Sequence, residues 1–402
     1  MMDEAPSLSP SRSGPIAARP GSGAAPAEKA KEAPHWPFLD LVRFGAALLV
    51  LFGHSRGLYF VGIAQAPDAG IATRLFYLVT GLQHEGVILF FVVSGFLVGG
   101  SVWRNIEAGR FEARLYLINR FSRIYLVLIP ALVLVFILDR LGMSFLADTR
   151  FYAERPLFPS GVYAGWTWSQ IPCHLASLQG AVCNAWGADP PLWSLGWEWV
   201  FYLLAPILFG ICLLPLRPLA RAAGLAVICA SLFTLFGVGD WLLWLFTWLI
   251  GVAASLMATR REVPLGLGLG GLVLCAAALI TSRAAILPVL VTDLGIGIGL
   301  TLAVACRAIA NAPILEKLAA RGAGFSYSLY LIHLPMGIFA GAVLERLGFP
   351  ATLMLPGPSA YAAFALIAAA ALGAAMLFAS LTEKHTARFR RFLARSGVDS
   401  RE

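Results

Sequence analysis

Apolar runs of roughly 20 residues recur along almost the whole sequence, and that many are incompatible with a soluble fold. Ten can be delimited, at approximately 38–58, 84–102, 121–141, 194–214, 219–238, 240–258, 264–282, 286–306, 324–344 and 358–381. Each is about long enough to cross the ~30 Å hydrocarbon core as a helix. A membrane-spanning chain must satisfy its backbone hydrogen bonds internally, which leaves helices or a closed barrel. The ten-residue alternating segments of a barrel are missing. The expected fold is therefore all-α, a polytopic membrane helical bundle of about ten transmembrane helices. Composition agrees: 59% of residues are hydrophobic and 13% charged, against about 25% charged in soluble domains. The segment 71–82 is apolar but short, and an interfacial position is expected for it.

A net charge of +8 raises the question of nucleic acid, but no motif of a nucleic-acid module is present. The basic residues sort by loop instead. With the N-terminus cytoplasmic, the inner segments hold about three Lys and Arg for each one in the outer segments, as the positive-inside rule requires. Both termini are thus expected in the cytoplasm of a bacterial inner membrane protein. Residues 1–35 are rich in Pro, Ala, Gly and Ser and lack the apolar core of a signal peptide, so they read as a disordered tail. The transmembrane domain is expected over 36–383 and a basic cytoplasmic tail over 384–402. Residues 142–193 form one long outer loop. Its Trp-rich stretches suit either the membrane interface or platforms for a sugar ring. Cys173 and Cys183 share that loop, and an oxidising compartment would allow them to pair. The other four cysteines read as packing residues.

The first span carries the least expected residues. Arg43 and His54 both lie within FLDLVRFGAALLVLFGHSRGL, and an ionisable group at membrane depth costs at least ~2.5–3.5 kcal/mol. Their separation of eleven residues is within roughly 20° of three helical turns, so both face one side, about 16 Å apart. Arg43 falls in the cytoplasmic half and His54 near the outer end.

Further polar groups sit at comparable depth. Arg120 and Arg123 open the third span and share a helix face. With Arg43 they would grip an anionic ligand at the inner mouth, because a guanidinium donates two hydrogen bonds to one phosphate. As plain positive-inside anchors, Arg120 and Arg123 would need no ligand. Glu198 and Tyr202, four apart, share a face of the fourth span. Asp293 lies inside the eighth span and needs a partner, either a histidine or a helix break near Gly295 and Gly297. Tyr330 and His333 lie three apart in the ninth span, where His333 could equally be a packing residue. Ser94 stands mid-span beside Gly95, and packing or backbone bonding explains it better than nucleophilic chemistry. No metal-binding spacing occurs.

In order along the chain, these stretches resemble the acyltransferase-3 family of integral membrane acyltransferases. The resemblance runs from about Trp36 to Arg391. It rests on Arg43 and His54 eleven apart, FFVVSGFL at 90–97, the Arg120–Arg123 pair, WSLGWEWVFY at 193–202 and SYSLYLIHLP at 326–335. Val93 stands where a leucine is commoner, and the extracytoplasmic esterase-like domain that some members carry is not expected here. The resemblance implies acyl transfer from cytoplasmic acyl-CoA, usually acetyl-CoA, to a hydroxyl of a glycan or lipid-linked sugar at or beyond the outer leaflet. On that reading Arg43, Arg120 and Arg123 hold the donor and His54 is the catalytic base, with Glu198 or Asp293 fixing its tautomer. A transporter or flippase is the rival, since the same charges could line a substrate path. That class is marked by inverted repeats with paired broken spans, and the two halves show no internal similarity.

Overall fold

A computed structural model describes residues 36–153, 168–313, 316–349 and 354–396. The tail read at 1–35 lies outside the described residues, as does 154–167 of the long loop. Helix α1 (Pro37–Tyr59) is followed by the short α2 (Ile71–Val79). Helix α3 (Gln83–Ser94) continues through a π-helical turn, Gly95–Gly99, into α4 (Gly100–Glu107). Then come α5 (Ala113–Phe145), the loop helix α6 (Ile171–Leu175), α7 (Trp193–Leu213), α8 (Pro218–Phe236), α9 (Trp241–Arg260) and α10 (Leu265–Arg283). The remainder is α11 (Val289–Ala305), two short helices α12 (Arg307–Ala310) and α13 (Glu316–Ala323), α14 (Ser326–Arg346), α15 (Pro358–Leu381) and α16 (Thr386–Arg395).

Nine helices among the described residues are long and apolar enough to cross a membrane, so the chain is a polytopic helical bundle. The span expected at 286–306 is the 17-residue α11. It starts late because Pro288 sits at its N-cap, where a proline initiates a helix rather than continuing one. Helix α5 runs longer than expected. Its 33 residues make about 50 Å of helix, which exceeds the hydrocarbon core and lets Arg120 and Arg123 stand near one rim. In α2 the exposed Ile71, Leu75 and Val79 form one apolar stripe at helical spacing, the pattern of a helix lying in an interface.

Helices α1, α3, α9 and α14 fill the centre, whereas α8 buries no residue and lies at the edge. The π-helical turn is the closest crossing. A Cβ on Gly95 would strike the Trp248 carbonyl oxygen, and one on Gly251 would strike the Val92 carbonyl oxygen. Two backbones in contact leave no side chain free to yield, so the tight seam of small residues is obligatory. Replacing Gly251 with Val should cost at least ~1–3 kcal/mol, read as an earlier thermal transition of the detergent-solubilised protein. A transition equal to that of the wild type would contradict the crossing.

The structure adds detail to two loop regions. Trp193 and Trp197, at the approach to α7, are packed against Trp244 and Trp241 of α9 rather than presented as platforms. Cys173 and Cys183 are joined as a disulfide with Cα atoms 6.4 Å apart. It closes the hairpin on which Gly180 accepts a hydrogen bond from Trp197 Nε1, 3.2 Å. At the other end of the chain, α16 forms within the segment read as a basic tail and packs along α5.

Candidate active site

Helices α1, α3, α5, α7 and α14 and the segment around α16 enclose a cavity of about 720 Å³, a size typical of ligand sites. Seven of the residues singled out by sequence line it: Arg43, Ser94, Arg120, Arg123, Glu198, Tyr202 and Tyr330. Three more, Glu383, Lys384 and Arg390, come from the C-terminal segment. Arg43, Arg120, Arg123, Lys384 and Arg390 thus face Asp40, Glu198 and Glu383, an excess of cations over carboxylates.

The cations are not equivalent. Arg123 pairs with Glu383 at 2.8 Å and lies over the Tyr327 ring at 5.0 Å. Glu383 is buried and also accepts from the Ser328 backbone N–H at 3.1 Å and its hydroxyl at 2.9 Å. That carboxylate is therefore fully engaged, and Arg123 is anchored rather than free. Among the described residues Arg43 pairs with Asp40 alone, at 3.7 Å on the same helix. Arg120 lies over Tyr116 and Tyr202, at 5.9 and 5.6 Å, and its buried Nε has no hydrogen-bond partner. Among the described residues neither Arg120, Lys384 nor Arg390 pairs with a carboxylate. An unneutralised guanidinium in a partly dry cavity is a site for an anion.

The wall facing these cations is a chain of hydrogen bonds. Trp248 Nε1 donates to Ser94 Oγ at 3.1 Å, and Ser94 Oγ lies 3.1 Å from the Tyr202 hydroxyl. Tyr202 in turn donates to Glu198 Oε1. An indole N–H can only donate and a carboxylate can only accept, so every proton in the chain points toward Glu198. Ser94 is thereby more than a packing residue. Its hydroxyl is a link in the network that holds Tyr202 and Glu198 in place.

His54 lies beyond this cavity, at the far end of α1. Its Nδ1 is 2.8 Å from His333 Nε2, and the two rings stack at 5.0 Å. His333 Nδ1 is 2.8 Å from the Tyr330 carbonyl oxygen. A carbonyl only accepts, so the neutral His333 carries its proton on Nδ1 and offers a lone pair on Nε2. His54 must then donate from Nδ1, which leaves its Nε2 as a free base. Tyr330 connects the two regions. Its ring lines the cavity, its carbonyl fixes His333, and its hydroxyl donates to Pro191 O at 2.9 Å beside Ser194 Oγ at 2.5 Å.

The orienting carboxylate expected from sequence is not there. Asp293 is fully buried but pairs with His84 Nε2 at 3.0 Å, and Glu198 is bound to Tyr202. A histidine from α14 takes that part instead. His84 stands at the start of α3 outside any motif, and only the contact between α3 and α11 brings it to Asp293. Glu383 was equally unmarked, as a single acid next to a basic segment. Among the described residues no cluster of three or more His, Cys, Asp or Glu could hold a metal ion.

The profile of the acyltransferase-3 family, an acyltransferase domain, matches residues 36–380, and the chain belongs to that family. It is an integral membrane acyltransferase. No curated protein and no solved structure matches it.

Proposed function

We propose that the protein moves an acyl group, most simply acetyl, from cytoplasmic acyl-CoA to a hydroxyl of a cell-surface glycan or lipid-linked sugar at a bacterial inner membrane. The observation that carries this reading is the cation excess of the cavity at the Arg43 end of α1, set opposite an oriented neutral histidine at the other end. The phosphates of the donor would be held by Arg43 and Arg120, with Lys384 and Arg390 closing the mouth. Arg123, already paired with Glu383, would shape the site more than it binds. The thioester would then reach past Tyr330 on its pantetheine arm.

The chemistry asked of His54 is general-base catalysis. Nε2 takes the proton of the acceptor hydroxyl while its oxygen attacks the thioester carbonyl carbon. The tetrahedral intermediate collapses with cleavage of the C–S bond, and the departing coenzyme thiolate takes the proton from His54 Nε2, which restores the free base. Donation from His54 Nδ1 to His333 steadies the ring as it becomes positively charged.

Substrate consumption tests this directly. Membrane vesicles containing the protein should convert acetyl-CoA to free coenzyme A with an added glycan acceptor, and the glycan should gain one acetyl group by mass spectrometry. Replacing Arg120 with Ala should raise the donor KM by about tenfold or more while kcat changes little, as for loss of a charged contact made equally in ground and transition states. A kcat collapse at unchanged KM would move Arg120 out of donor binding.

A further inference from the structure

A second pair of cations stands at the opposite end of α1 from the donor cavity. Arg56 follows His54 by two residues, and its Nε donates to the Thr80 carbonyl at 3.1 Å while the guanidinium lies over the Tyr77 ring at 5.1 Å. Arg283, the last residue of α10, lies against the next residue along, Gly81. A Cβ on Gly81 would fall 2.7 Å from Arg283 Cδ and 2.8 Å from its Cζ, so that side chain rests directly against the glycine. Thr80 and Gly81 thus seat two arginines side by side, close enough to act on each other as like charges.

Neither arginine pairs with a carboxylate among the described residues. Of the acids near them in the fold, Asp293 is paired with His84, and the buried Glu85 accepts from Ser282 Oγ through one oxygen while the other has no hydrogen-bond partner among the described residues. Arg283 is exposed and Arg56 half-buried, so the pair is reachable. Like charges brought together at a membrane boundary repel unless an anion lies between them. A single arginine already saturates a planar carboxylate through its two parallel donors. Two guanidiniums approaching from different helices suit the tetrahedral oxygens of a phosphate better.

We propose that Arg56 and Arg283 form a phosphate clamp that holds the acyl acceptor at the His54 end of α1, which makes the acceptor a phosphate-bearing lipid-linked molecule. Its role in acceptor binding rests on the acyl-transfer reading above, whereas the clamp itself is a binding site. Location decides which substrate it serves. The donor cations lie at the Arg43 end of α1, so an anion bound at the opposite end of that helix, where His54 stands, belongs to the other reactant.

Farnesyl diphosphate is a suitable probe, titrated against the full-length protein in phosphatidylcholine nanodiscs and followed by thermophoresis. The wild type should bind it and should bind farnesol far more weakly. The Arg56→Gln/Arg283→Gln double variant should lose at least about tenfold in affinity, and Arg283→Lys should keep part of it. Acetyl-CoA binding should be unchanged in the same variants, which also reports that they are folded. Repeating the titration with phosphatidylglycerol in the disc separates the two sources of lipid phosphate. Undiminished affinity supports a dedicated lipid-linked acceptor, and competition supports a phosphate clamp that bulk headgroups also enter. Equal affinity of the wild type and the double variant, or equal affinity for farnesol, overturns the clamp. The binding readout needs no turnover. Arginine-dependent binding in a protein that fails to consume acetyl-CoA would therefore remove the acyl-transfer reading and leave the clamp standing.

Discussion

Alanine at His54 is expected to lower acyl transfer by about 10²–10⁴-fold, the usual worth of a positioned general base. Folding should be spared, because among the described residues the side chain makes one hydrogen bond, to His333. Membrane insertion and thermal transition should therefore match the wild type, and acetyl-CoA affinity should hold because the donor cations lie at the other end of α1. His333 provides the matching control. It touches His54 rather than the cavity, so His333→Ala should cost less than His54→Ala. His333→Gln, whose amide oxygen can still accept from His54 Nδ1, should recover part of that loss. Full activity in His54→Ala would end the assignment. Equal losses in His333→Ala and His333→Gln would reduce His333 to a packing residue.

The second large effect concerns stability. Glu383 is buried, and it neutralises Arg123 while satisfying both the N–H and the hydroxyl of Ser328. Glu383→Ala would strand that arginine inside the bundle and orphan two further donors. Breaking a buried pair by removing one partner typically costs about 3–5 kcal/mol, and the 32% exposure of the Arg123 side chain places this one at or below the lower end. The thermal transition in detergent should fall sharply, whereas replacing Arg123 and Glu383 together by apolar residues of similar volume should restore most of it. If Glu383→Ala melts like the wild type, the pair is solvated and Arg123 is free to bind donor.

Where sequence reasoning succeeded and where it stopped follows from the range of the interactions. Helices announce themselves through length and hydropathy, so the spans were legible, and so was α1 with its two costly residues. The Glu198–Tyr202 pair was legible because both lie one turn apart on a single helix. Partners on different helices were not. Nothing local distinguishes His333 from Asp293 as the neighbour of His54, because the choice is made by the way α14 packs against α1. His84 and Glu383 have no periodic signature at all. The start of α11 was misplaced for a simpler reason: hydropathy counts Ile286 and Leu287 as span, while the backbone restriction at Pro288 excludes them from the helix.

The cavity joins residues from α1 to residues of α16, elements made at opposite ends of translation. Until α15 is in the bilayer and α16 has folded back on α5, Arg123 lacks its carboxylate and the mouth lacks two of its cations. A ribosome-bound intermediate would accordingly carry a complete His54–Arg43 helix and still lack the complete cavity. Bringing the two together is the closure of a very long loop, so the cavity is complete only when the C-terminal segment has packed against the first helices.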